Sequence, residues 1–131
     1  MAPKKRPPLT EAELRLMDVL WDKGHATVSE VCESLPKQLS LAYNTVLTTM
    51  RILEDKGYLR HTKAAEGRAF VYRPAVRRET ASRNAVRHLL RRFFGNSPGK
   101  LVLNLLENDE LDDEELRRIR KLMNRNGSEE Q

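Results

Sequence analysis

Apolar residues recur with helical spacing through the first part of the chain, in three short runs separated by tight breaks. In the first run Leu14, Met17, Leu20 and Trp21 fall on one face, the spacing of an amphipathic helix. Thr10 and Glu13 in "TEAE" predict a capping box at its start, and Gly24 predicts its end. The second run, Val28, Val31, Cys32 and Leu35, starts the same way with Thr27 and Glu30 in "TVSE". It closes at Leu35-Pro36, because the residue before a proline disfavours the helical region. The third is "SLAYNTVLTTM" and its continuation, with Ser40 as the expected cap and Val46, Met50 and Leu53 as the core stripe. It should reach about Lys56 and stop at Gly57, with Tyr43 and Thr49 turned inward beside the stripe.

The period then changes. "GYLRHTK" and "RAFVYRP" are β-branched or aromatic-rich pieces flanking "AAEG", a hairpin pattern. Leu59 and His61 fall on one side, Arg60 and Thr62 on the other; Glu66-Gly67 supplies the turn and Pro74 the end. Beyond Pro74 the helical period returns in Val86, Leu89, Leu90 and Phe93, and "GNSPG" breaks it. Ser97-Pro98 opens a short apolar helix, "KLVLNLLE". "LDDEELRRIRKLM" follows, with Asp112 and Glu115 as a capping pair, Leu111 and Leu116 as a staple, and Leu116, Ile119 and Met123 as its stripe.

The expected fold class is therefore mainly α with a small β-hairpin wing. Three helices followed by a hairpin is the winged helix-turn-helix order, in which the third helix enters the major groove of DNA. The expected divisions are a flexible basic tail over 1–8, a winged-helix domain over 9–75, a helical dimerisation region over 76–125 and a disordered tail over 126–131. A helix trio as small as the C-terminal one is worth on the order of a few kcal/mol alone. Its stripes are therefore expected to pack against a second copy through Leu89, Leu90, Phe93, Leu101, Leu105, Leu116, Ile119 and Met123. A homodimer of this kind reads a palindrome.

Charge sharpens this picture by its placement. Over 131 residues the net charge is +5. Residues 1–36 carry five basic and six acidic groups, residues 37–92 thirteen and four, and residues 93–131 six and nine. The excess is thus confined to the middle segment. Such a surface favours a polyanion.

On a helical wheel Asn44, Thr48, Arg51 and Asp55 lie opposite the core stripe of the third helix, with Thr45 and Ile52 at one flank. Threonine and asparagine are mediocre helix formers, so their concentration here asks for another reason. Asparagine can bond adenine N6 and N7, and threonine offers a hydroxyl together with a methyl that fits thymine. The expected base-reading set is Ser40, Asn44, Thr45, Thr48 and Arg51, and Arg60, Lys63 and Arg68 of the wing are expected on phosphates.

Other classes find less support. His25, His61 and His88 lie on three different elements, with no clustered metal-ligand spacing and no Gly-rich phosphate loop, so neither an enzyme nor a metal or cofactor site is expected. The single cysteine, Cys32, cannot form an internal disulfide, which fits a reduced, cytoplasmic, nucleoid-associated protein. No apolar run is long enough to span a membrane. The alternative reading is a winged-helix regulator that senses a small molecule at an interfacial pocket.

The stretches "LTEAELRLMDVLWDKGHATVSEVCESL" and "LAYNTVLTTMRILEDKGYLRHTKAAEGRAFVYRP" resemble the N-terminal domain of the penicillinase-repressor (BlaI/MecI/CopY) family. "KLVLNLLE" before an acid-started helix is similar to its dimerisation region, so the resemblance covers about residues 9 to 125. It implies a dimeric winged-helix repressor on dyad operators with TACA/TGTA-type half-sites, with Thr45 and Thr48 where the family places recognition-helix threonines. In the β-lactam-responsive members a membrane sensor-protease triggers cleavage after an Asn that precedes a Phe. The corresponding bond here is Asn104–Leu105, with leucine in place of phenylalanine. The copper-responsive members carry a cysteine-rich C-terminal motif, and this C-terminus has no cysteine.

Overall fold

A computed structural model of the chain describes residues 6–129 apart from Ser40, Arg68 and Asp109, with side chains described through Arg125. The element order is α1 (Glu11–Lys23), α2 (Val28–Ser34), a 3₁₀ turn (Lys37–Leu39), α3 (Tyr43–Asp55), β1 (Leu59–Lys63), β2 (Phe70–Pro74), α4 (Arg78–Phe93), α5 (Pro98–Glu107) and α6 (Asp113–Glu129). The chain forms two compact units, residues 1–88 and 89–131, with the division inside α4.

Both capping boxes form in the first unit. The Thr10 hydroxyl accepts from the Glu13 N–H at 3.2 Å while the Thr10 N–H donates to the Glu13 carboxylate at 2.8 Å. Thr27 and Glu30 repeat the arrangement at the start of α2. Gly24, at φ +86°, ends α1 in the left-handed half of the map that glycine enters without strain. The core face of α1 differs from the expected one. Leu14 is 43% exposed, and Leu16 takes the core position beside Met17 and Leu20. The reason is that α1 is packed by α2, α3 and β2 together, so a wider arc of the helix, including the adjacent pair Leu16 and Met17, is covered.

The third helix keeps its expected stripe: Val46, Met50 and Leu53 are fully buried. Its start does not fall where Ser40 would cap it. Ser40 lies outside the described residues, and the N-cap is Ala42, which offers no side-chain hydrogen bond. The chain first makes the Lys37–Leu39 turn, and Ala42 is still extended at φ −63° and ψ 149°. The end is where the sequence places it. Gly57 adopts φ +89°, and the Tyr58 N–H returns to the Leu53 carbonyl at 2.9 Å.

A buried ion pair ties α1 to the end of α3. The Lys56 ammonium donates to the Glu13 carboxylate at 2.7 Å, and Glu13 is only 4% exposed. Burial alone would raise the Glu13 pKa, but the hydrogen bonds from Lys56 and Thr10 outweigh it and hold the carboxyl below its ordinary value. Lys56 also donates to the Pro8 carbonyl, Tyr58 Oη to the Pro7 carbonyl and Arg6 Nε to the Gly57 carbonyl, at 3.3, 2.7 and 2.9 Å. Within the basic tail expected over 1–8, residues 6–8 are thus hydrogen-bonded to the end of α3, and residues 1–5 lie outside the described residues.

The hairpin pairs Leu59 with Pro74 through Lys63 with Phe70, antiparallel. A third extended segment, unforeseen in the sequence, lies against it: Ala26 exchanges both backbone hydrogen bonds with Tyr72, at 3.0 and 2.8 Å. The segment between α1 and α2 thereby covers one edge of the two-stranded sheet. Trp21 Nε1 donates to the Val76 carbonyl at 2.9 Å. The Arg78 guanidinium lies over the Trp21 ring and 3.1 Å from Asp22, so this arginine fastens the start of α4 to α1.

In the second unit the Ser97 hydroxyl caps α5 with Pro98 at its first turn, and Asp112 and Glu115 cap α6 reciprocally. The α6 backbone stays helical through Glu129, past the expected end of the helical region at residue 125. The sequence "GSE" supplies no proline to stop it, and a glycine alone costs a helix only about 1 kcal/mol. No helix of the described residues is long and apolar enough to cross a membrane.

Because Glu13 is held below its ordinary pKa, its contribution to stability is present above its unfolded pKa and lost as pH falls through the folded one. Glu13→Gln should lose about 1–3 kcal/mol at neutral pH. It should also flatten the fall in stability as pH drops below the ordinary glutamate value of about 4.3. Urea unfolding followed through the single tryptophan, Trp21, measures both; an unchanged pH dependence would show that Glu13 is not the linked group.

Candidate nucleic-acid interface

Helix α3 presents two opposed faces. With Val46, Met50 and Leu53 buried, Asn44, Thr45, Thr48, Arg51, Ile52 and Asp55 are exposed on the other side. The first turn carries no acid, so nothing negative stands beside Asn44 and Thr45 on that turn. Thr49 serves the helix itself. Its hydroxyl donates to the Thr45 carbonyl at 2.8 Å, the back-bond that lets a threonine sit inside a helix. Tyr43 departs from the inward position expected for it and is 51% exposed. It occupies the first turn, where the chain has only just joined the core, so its place on the wheel does not bury it. Its exposed phenol therefore adds to the surface that the sequence defined by Asn44, Thr45, Thr48 and Arg51.

The hairpin supplies the second part of the surface. Arg60 and Lys63 are exposed on β1, and Arg68 lies outside the described residues. The Ala64 N–H donates to the Ala69 carbonyl at 3.0 Å and closes the loop at its base, with Gly67 at φ +94°. Register adds a basic residue that the sequence pattern did not single out. Arg73 stands directly across from Arg60, and both are exposed. Like charges opposite one another destabilise a hairpin, and an anion near the pair would relieve that cost. The signal was the pairing register, which no spacing along one strand reveals.

A side-chain contact ties the basic hairpin to the last turn of α3. His61 Nδ1 lies 2.7 and 2.9 Å from the two carboxylate oxygens of Glu54 in the last turn of α3. This is chemistry suited to a polyanion: cations on a small hairpin and short polar side chains on a helix that can approach closely. Among the described residues, no group of three or more His, Cys, Asp or Glu could hold a metal ion. A cleft of about 190 Å3 lined by Arg15, Leu16, Leu35 and Leu39 falls below the range of about 300–1,000 Å3 typical of small-molecule sites.

The penicillinase-repressor family profile matches residues 9–125. The chain belongs to the penicillinase-repressor family. It is 34% identical over 120 residues to a penicillinase repressor of Bacillus licheniformis, covering 92% of each chain. It is 22% identical over 117 residues to the methicillin resistance regulatory protein MecI of Staphylococcus aureus, covering 89% of this chain and 94% of MecI. The solution structure of the DNA-binding domain of the repressor BlaI aligns with 58% of this chain and 90% of its own, at 37% identity and a TM-score of 0.50. As a penicillinase-repressor family member the chain is a winged-helix, DNA-binding transcriptional repressor and not an enzyme.

The second unit of this repressor contains the residues expected to form a dimer. Leu89, Phe93 and Met123 are exposed, Leu101, Leu105, Leu116 and Ile119 are half-buried, and Leu90 is already buried within the chain. Val102, Leu103, Leu106 and Leu122 are also exposed and were not singled out from the sequence. Helix α5 is apolar over more than one stripe, and Leu122 of α6 lies beside Met123 on the edge of the expected one.

If the hairpin cations meet phosphates, Arg60→Ala and Lys63→Ala should each weaken binding to any duplex. Each should also reduce the slope of log K against log salt by about 0.9 for every phosphate no longer neutralised. Fluorescence anisotropy on a random-sequence duplex across a salt series measures this. An unchanged slope would remove the residue from the interface.

Proposed function

We propose that this repressor acts as a homodimer on a dyad operator, with α3 reading base edges and the hairpin holding phosphates. The observation that carries this reading is the outward face of α3, where Asn44, Thr45, Thr48 and Arg51 are exposed directly opposite a fully buried stripe. Operator half-sites of TACA/TGTA type suit it, since adenine edges match asparagine and thymine methyls match threonine. The protein works in the cytoplasm, at the nucleoid, and needs no cofactor.

Dimerisation is supported by the second unit. Phe93, Leu103, Leu122 and Met123 are each more than half exposed, an excess of large apolar groups that marks an interaction surface. A second copy would cover it and set two α3 helices on the two halves of a palindrome.

Relief of repression by a membrane sensor-protease would act at Asn104–Leu105. That bond lies inside α5, and the Asn104 carbonyl accepts from both the backbone N–H of Asn108, at 3.2 Å, and its side-chain amide, at 2.8 Å. Proteolysis there requires α5 to open locally, because an intact helical turn keeps the scissile carbonyl engaged.

The test begins by selecting bound sequences from a random DNA pool. Asn44→Ala and Thr48→Ala should each cost about 1–3 kcal/mol on the selected duplex and far less on random DNA, whereas Thr49→Val should leave binding unchanged. Equal losses on both duplexes would refute base reading. In parallel, sedimentation should show a dimer that becomes monomeric when residues 97–131 are removed. A truncated chain that stays dimeric would refute this division of labour.

A further inference from the structure

The Glu54–His61 contact joins the two elements that face DNA. His61 Nδ1 approaches both Glu54 oxygens within 3 Å, and since a carboxylate only accepts hydrogen bonds, the contact is made by the form of the ring that carries a proton at Nδ1. The imidazole is also packed between rings of the opposite strand, 4.6 Å from Phe70 and 5.5 Å from Tyr72, tilted by 46° to each. Tyr72 is in turn fixed, 2% exposed and bonded through its backbone to Ala26. Helix α3 and both strands of the hairpin thus meet at one side chain, with the segment before α2 holding the Tyr72 backbone.

The magnitudes argue against a role in stability. The two side chains are 37% and 29% exposed, and polar contacts this open to water add little to folding. The hydrophobic root of the hairpin, Tyr58 and Leu59, is buried without them. What the contact does fix is an angle. His61 lies one strand pleat beyond that root and two residues before Lys63, on the same side of β1 as Lys63. A hairpin of two short strands is pliable. A bond from its middle to α3 limits where its outer half can lie relative to the helix.

We propose that Glu54 and His61 are positioning residues that set the hairpin against α3, so that Lys63 reaches a phosphate while α3 lies in the groove. This rests on the reading of α3 and the hairpin as the DNA interface. Neither residue touches DNA; each acts through the placement of Lys63.

The full-length protein tests it on a short random-sequence duplex, with affinity measured across a salt series. His61→Phe keeps a ring against Phe70 and Tyr72 but loses the donor. His61→Asn keeps a donor near the Nδ1 position but loses the ring. His61→Phe should weaken binding about three- to tenfold and flatten the salt slope by about 0.9 per protomer, and Glu54→Ala should do the same. His61→Asn should retain most of the affinity and the slope. In a Lys63→Ala background, His61→Phe should have no further effect on either. A His61→Phe loss that leaves the slope unchanged, or that adds fully to Lys63→Ala, overturns the positioning role while the hairpin's phosphate contact stands. An unchanged slope for Lys63→Ala alone overturns the hairpin reading, and the proposal with it. Urea midpoints of the same variants guard against unfolding; if His61→Phe does not fold, Glu54→Ala against His61→Asn carries the comparison.

Discussion

The Glu13 carboxylate closes the capping box of α1 and accepts the Lys56 ammonium at 2.7 Å from the far end of α3. A carboxylate this buried would be costly by itself. Here the Thr10 N–H and the Lys56 ammonium satisfy it, and its removal would take from Lys56 its charged partner. Around this pair gather Arg6, Pro7 and Pro8, whose polar atoms meet Gly57, Tyr58 and Lys56. The end of α3, and with it the exit of the chain into the hairpin, is thereby fixed to α1.

That fixing explains how α3 can be written in weak letters. It has no side-chain cap at its start, no acid in its first turn and no base in its last, so it forgoes the usual local sources of helix stability. Its three fully buried residues, Val46, Met50 and Leu53, replace them by tertiary packing, as most short helices in proteins require. The outward positions are then released from helix-forming duty. Asn44, Thr45 and Thr48 can be short, polar and uncharged, which is what close approach to base edges demands.

Much of this was legible in the chain because the signals were local. Thr10 with Glu13, Thr27 with Glu30, Gly24, Gly57 and Ser97-Pro98 each mark a helix boundary through chemistry confined to a few residues, and each boundary stands. The buried stripe of α3 followed from the helical period, and the hairpin from β-branched and aromatic runs on either side of Glu66-Gly67. The misplacements have non-local causes. Leu14 gave way to Leu16 because α1 is packed on several sides at once, which one helical wheel cannot foresee. Tyr43 is exposed because the core begins one turn later. The Ala26–Tyr72 bridge, the Glu13–Lys56 pair, the Arg60–Arg73 register and the Glu54–His61 contact all join segments that only the folded chain brings together. The outward polar face of α3 was readable as a face; which groups brace it was not.

DNA is expected to meet the polar outer face of α3 and the cations of the hairpin. Isotope-labelled full-length protein titrated with a duplex selected from a random pool tests this most directly by NMR. The largest shifts should fall at the Asn44 side-chain amide and at the backbone of Thr45, Thr48 and Lys63, with Val46 and Leu53 little changed. Shifts concentrated on α5 and α6, with Asn44 and Thr48 unmoved, would contradict it.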